Sequence, residues 1–172
     1  MKAFSELAIH DFDFLTTRHG FTSDVVSPTH VRYASDRVFF DITTDPRDGI
    51  CVDYGRFHQP GVLPTDSAER LSLNTFLGAI HTHLGDYREE GVSNASSPAF
   101  AERTLNQFGA GLAEFGRGLI VADSALYQRA RELRFWHVGH WTQLWGTSIV
   151  MSSDEIRRQR HLVPDILAHI HQ

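Results

Sequence analysis

Cysteine occurs once in the 172 residues, at Cys51. A single thiol excludes an internal disulfide and a cysteine-based zinc site. It fits a reducing compartment, so the expected location is cytoplasmic. A surplus of positive charge is also missing: one Lys and fifteen Arg stand against 21 acidic residues, for a net charge of −5. A nucleic-acid partner needs a concentrated basic footprint, so none is expected. No apolar run is long enough to span a bilayer, and the acidic residues and His10 within Met1–Asp11 come too early for a secretory leader, so no membrane partner is expected. Gly-rich phosphate loops, nucleophile elbows and dinucleotide fingerprints are absent, which removes the sequence signatures of many nucleotide enzymes and serine hydrolases. No cofactor is expected.

What is present is material for a core. Twelve Phe, four Tyr and three Trp within a 41% hydrophobic chain exclude disorder as a description of the whole, and the length suits one domain over 1–172 better than two. The charge is uneven. Residues 1–92 carry eight basic and fourteen acidic side chains, a balance of −6, whereas 93–172 carry eight and seven, a balance of +1. Such a distribution complements a basic protein partner, and it also serves solubility.

Hydrophobic periodicity places the elements. Phe4, Leu7, Ala8, Phe12 and Leu15 recur at helical spacing and predict a helix over 4–19, with Gly20 just past its end. Residues 30–56 read as a three-stranded antiparallel meander: 30–34, a tight turn at Ser35-Asp36, 38–44, a turn over 45–49, and 50–54. Alternation sets Val31, Tyr33, Val38, Phe40, Ile42, Ile50, Val52 and Tyr54 on one face, which becomes the core face. His30, Arg32, Phe39, Asp41, Thr43, Cys51 and Asp53 take the other. Residues 67–84 predict one helix or two short ones. Residues 85–97 are polar and loop-like, and Ser97-Pro98 opens a helix striped by Phe100, Leu105, Phe108, Leu112 and Phe115, in which Gly109 and Gly111 weaken the helix or permit close packing. Leu119-Ile120-Val121 is an apolar connector, and Ser124 is the expected cap of a helix through Leu133. Ser152 and Glu155 form a capping-box pattern before a last helix that Pro164 kinks or restarts. The fold class is therefore α+β: a three-stranded meander packed against an N-terminal helix and a mainly helical C-terminal half.

Two stretches carry a resemblance. The first runs from Phe14-Leu15 and Gly20-Phe21 through Val31-Arg32-Tyr33-Ala34-Ser35-Asp36 to Asp45-Pro46-Arg47-Asp48-Gly49 and Tyr54-Gly55-Arg56. The second runs from Leu105 to Leu133, with Leu112-Ala113-Glu114-Phe115-Gly116 and Asp123. Together they resemble a diffuse group of small bacterial proteins, some of which look like immunity proteins of polymorphic toxin systems. The resemblance covers about half the chain, in turn and core residues, and holds no catalytic signature. It implies a non-catalytic protein that neutralises a partner toxin.

Three constellations are candidates for chemistry. His81-Thr82-His83 with Asp86 is similar to the His-x-His-x-Asp-His motif of metallo-β-lactamases and to the His-x-His core of MPN-type zinc isopeptidases, but the Asp falls one position late and the closing ligands are missing. It gives an alternative reading as a zinc-dependent hydrolase. Trp136, Trp141 and Trp145 flank His137 and His140, a composition suited to an interface or to the pocket of a small-molecule sensor. The third constellation is the polar face of the meander. With Thr44 paired to Ile50, Asp41 lies opposite Asp53, and with the first hairpin turning at Ser35-Asp36, His30 lies opposite Asp41. The expected row His30–Asp41–Asp53 would share a proton, bind a cation, or present an acidic stripe to a basic partner. A solvated face with His30 as counter-ion is the bland alternative. Cys51 has no base at fixed spacing and reads as a packed thiol. Of these readings, protein binding ranks above catalysis, with His30, Arg32, Phe39, Asp41, Asp53, Trp136 and Trp141 as contact residues. No feature sets an oligomeric state.

Overall fold

A computed structural model describes residues 3–45, 49–59, 61–62, 70–84, 98–133 and 153–171. Their elements, in order, are α1 (Phe4–His19), β1 (Thr22–Ser27), β2 (His30–Ala34), β3 (Val38–Asp45), β4 (Gly49–Arg56), β5 (Arg70–Ser72), α2 (Leu73–Leu84), α3 (Pro98–Phe115), α4 (Arg117–Ile120), α5 (Ser124–Arg131) and α6 (Ser153–Ile170). The five strands form one antiparallel sheet in sequence order. The class is α+β, and the sheet is larger than the three-stranded meander expected.

The two additional strands lie at its edges. All but the last residue of β1 are exposed, so β1 lacks the apolar alternation that marks a half-buried strand. β5 is three residues long and falls inside the stretch expected to be helical; there Leu71 turns inward opposite Tyr54, and α2 begins only at Leu73. Asn74, in the first turn of α2, extends the ladder beyond β5. Its Oδ1 accepts from the Val52 amide at 3.2 Å, and its Nδ2 donates to the Ile50 carbonyl at 3.1 Å.

The expected core face is the observed one. Val31, Tyr33, Val38, Phe40, Ile42, Ile50, Val52 and Tyr54 are all fully buried. They join Phe12 and Leu15 of α1, Phe76 and Ile80 of α2, Leu105 and Leu112 of α3, and Val163 and Ile166 of α6 in one cluster. α1 spans the predicted range and ends as predicted, the Gly20 amide donating to Thr16 and the Phe21 amide to Leu15. α3 crosses α1 at Gly109, where a Cβ would collide with the Asp11 carbonyl, so this glycine serves close packing.

Several local expectations change. Asp123, not Ser124, caps α5, its Oδ1 accepting from the Ala125 and Leu126 amides at 2.8 and 3.2 Å. Leu119 and Ile120 belong to the short helix α4. α6 runs unbroken through Pro164, which sits on its exposed side. Ser97, Ser152 and the Glu155 side chain lie outside the described residues. Among the described residues, no helix is long and apolar enough to cross a membrane.

Candidate functional site

The β2–β3 turn decides which side chains meet on the outer face. Ser35 enters the ladder, its amide donating to the Val38 carbonyl at 2.9 Å, while its Oγ accepts from the Arg37 and Val38 amides. The turn residues are thus Asp36 and Arg37, one position later than expected. Moving the turn by one shifts the register by two, which preserves every face but changes every partner. His30 therefore lies opposite Thr43, and Arg32 takes the place opposite Asp41. The β3–β4 register is the expected one, with Thr44 opposite Ile50 and Asp41 opposite Asp53. A single cross-strand row results: Asp24 on β1, Arg32 on β2, Asp41 on β3, Asp53 on β4 and Ser72 on β5.

Asp41 is the hub of this face. It is 2% exposed, and both of its oxygens are occupied. Arg32 grips it with two parallel bonds, Nε to Oδ1 at 2.7 Å and Nη2 to Oδ2 at 2.8 Å. Arg70 Nη1 adds a bond to Oδ2 at 3.1 Å, and His30 Nε2 reaches diagonally to Oδ1 at 2.8 Å. A bidentate guanidinium is the strongest arrangement available to a carboxylate. Burial pushes the Asp41 carboxyl up, but the bonds and charges of Arg32 and His30 outweigh it and hold the group below the ordinary carboxylate range. An acid so strongly held ionised is a poor general base.

Asp53, directly opposite, has the contrary environment. It is half-buried, and its carboxylate makes no hydrogen bond with any described residue. Burial pushes its carboxyl up, the Arg70 charge pulls it down, and the Asp41 charge pushes it up again, for a net rise. The two carboxyls do not share a proton through a hydrogen bond; their environments separate them.

Phe39 also lies on this face, yet it is fully buried and stands apart from the main core cluster. It rests over Gly55, its cross-strand partner, where any Cβ would strike the ring. The Arg32 and Arg70 guanidinium carbons sit 5.5 and 5.4 Å from its centroid, and the Phe57 ring packs 5.1 Å away. The two arginines that hold Asp41 thus also cover Phe39, within cation–π distance. The acidic stripe expected here is nearly balanced, since the two arginines against Asp24, Asp41 and Asp53 leave −1 with His30 neutral.

The structure therefore brings together His30, Arg32, Phe39, Asp41 and Asp53, and adds Arg70, which sequence reasoning missed. The signal was the polar–apolar–polar alternation of Arg70-Leu71-Ser72 just before the helix. Cys51 lies on the same face opposite Thr43. His81 and His83 fall on α2 rather than on a strand or loop, and at about 100° per residue they project nearly opposite ways. His81 packs edge-on against Phe115 with centroids 5.7 Å apart, while His83 is exposed. The pair does not converge on one ion. Asp86, Trp136, His137, His140, Trp141 and Trp145 lie outside the described residues. No group of three or more metal-ligating side chains occurs among the described residues.

No family model matches the chain, and no curated protein and no solved structure matches it.

Proposed function

We propose that this chain is a non-catalytic binding protein, of the immunity type, that neutralises a basic partner protein through the outer face of its sheet. The observation that carries the reading is the Asp24–Arg32–Asp41–Asp53 row with its arginine-covered Phe39. It is an internally hydrogen-bonded surface whose half-open arginines, with Arg32 22% and Arg70 32% exposed, border solvent. Arginine beside aromatic side chains, held in place before contact, is the composition of a binding hot spot. The chemistry also favours binding. Asp41 is saturated and cannot accept a proton at neutral pH, and Asp53 lacks a hydrogen-bonded partner to relay one. The resemblance in turn and core residues supports the immunity assignment, and a cytoplasmic site of action goes with it.

The test is co-expression with a secreted toxin sought among the products of the neighbouring genes, and finding none there would count against the immunity reading. The wild-type chain restores growth. Thr43→Arg, which sets a bulky side chain on the outer face without removing any group of the row, abolishes rescue while the protein stays folded. Undiminished rescue by Thr43→Arg would move the contact surface elsewhere.

A further inference from the structure

We propose that Asp53 is the seat of a cationic side chain, an arginine or lysine, that the partner inserts onto the outer sheet face; this rests on the reading of that face as the contact surface. The other charges there are already answered from within. Asp41 accepts four hydrogen bonds, Arg32 is committed to it by two, and Arg70 is committed to it and to the Phe39 ring. Asp24, whose carboxylate makes no hydrogen bond with a described residue either, is exposed. Asp53 differs from all of these: it is half-buried, no described side chain or amide hydrogen-bonds to its carboxylate, and Arg70 gives it only the field of a charge already bonded to Asp41.

A half-desolvated carboxylate without a hydrogen bond is unfavourable in the free protein, and a docking cation recovers that loss. The flanking outer-face positions hold short side chains, Cys51 two residues earlier on β4 and Ser72 directly opposite on β5. An anionic partner is the competing fit, through Arg32 and Arg70. It is disfavoured because Arg32 would have to loosen its two-bonded grip on a buried carboxylate.

The probes are the capped peptides acetyl-Gly-Arg-Gly-amide and acetyl-Gly-Glu-Gly-amide, titrated into the labelled full chain and followed by amide chemical shifts. The arginine peptide is expected to give saturable shifts at Cys51, Asp53 and Ser72, weakened at least tenfold in Asp53→Asn and unchanged in Asp36→Asn, whose carboxylate lies on the exposed turn. The amide spectrum itself shows that each variant is folded. Binding that survives in Asp53→Asn, preference for the glutamate peptide, or no shifts with either peptide overturns the proposal. The toxin assay separates the two ideas. Loss of rescue by both Thr43→Arg and Asp53→Asn supports the seat. Loss by Thr43→Arg alone leaves the face as the contact surface and removes Asp53 from it. No loss in either removes both.

Discussion

Replacing each of the two opposed aspartates by asparagine should move stability in opposite directions, although they are Cα partners on adjacent strands. Asp41→Asn keeps the shape but removes the charge that four donors share. An amide oxygen can serve part of that set, and its NH2 group faces donors instead of acceptors. Breaking a buried ion pair by deleting one partner costs about 3–5 kcal/mol. Because Arg32 and Arg70 are 22% and 32% exposed, water compensates them in part, so a loss of about 3 kcal/mol is expected. Asp53→Asn removes no hydrogen bond and relieves a like-charge cross-strand contact, a gain of about 0.2–1 kcal/mol. The pH dependence fixes the assignment. The folded-state Asp53 carboxyl is raised, so the native chain retains that proton longer than the unfolded one, and stability falls as pH rises from the unfolded value of about 3.9 through the folded one. The gain from Asp53→Asn is therefore full at pH 7 and vanishes below about pH 4. Asp41 is lowered, so its contribution is present above the unfolded value and is lost as pH falls through the folded one. Urea unfolding of both variants across this range measures the two differences. A destabilised Asp53→Asn at pH 7, or an Asp41→Asn as stable as wild type, would refute the reasoning.

Phe40→Ala should cost about 3–5 kcal/mol, since the ring is fully buried between Phe21 and Tyr54; a loss below about 1 kcal/mol in chemical unfolding would mean that its face is not the core. Gly55→Ala should cost about 1–3 kcal/mol, because its Cβ enters the space of the Phe39 ring, and Phe39→Leu should recover part of that loss in the double variant. Asp123→Ala removes the α5 cap and the 2.6 Å bond from His169 Nε2 of α6, so it should lose about 1–2 kcal/mol. His169→Ala should lose less, and equal losses would point away from capping as the larger role.

The core face was legible because β2 and β4 alternate strictly, β3 departs from alternation at Phe39 alone among its outer positions, and the β3–β4 turn carries a strong signal. The Asp45-to-Gly49 turn set the β3–β4 register, and with it the opposition of Asp41 and Asp53. The β2–β3 register was not legible to the same degree. Ser35-Asp36 and Asp36-Arg37 are both acceptable turn pairs, and only the Ser35 hydroxyl, bound to two amides across the turn, selects the second. A two-residue slip leaves the hydrophobic pattern intact, so periodicity cannot detect it. Its effect falls on charge: an arginine rather than a histidine came to face Asp41, and the expected acidic stripe became an ion cluster centred on a buried Asp41. β1 was silent because it packs on neither face. Phe39 was correctly placed on the outer face, but its burial depends on Gly55 and on arginines from two other strands, which no local pattern encodes.

Arg70 is the residue through which this long-range arrangement can be measured. It donates to Asp41 Oδ2 at 3.1 Å, and its charge also lowers the Asp53 carboxyl, so it stands between the two aspartates electrostatically. In the wild-type protein Asp41 holds the hydrogen bond, and Asp53 receives only the field. With Asp41→Asn in place, the acceptor is neutral, and Arg70 should turn to Asp53, the remaining carboxylate beside it. Asp53→Asn, a mild gain in the wild-type background, should then become a loss. A double-mutant cycle at pH 7 is expected to show a coupling of about 1–2 kcal/mol between positions 41 and 53, within the range found for residues in one ion-pair network. The sign reversal is specific to a shared cation. Two carboxylates that merely repel each other through solvent would give an Asp53→Asn gain that shrinks in the Asp41→Asn background to the part due to burial and does not change sign. Introducing Arg70→Gln should abolish the reversal, and its persistence in that variant would exclude Arg70 as the group the two aspartates share.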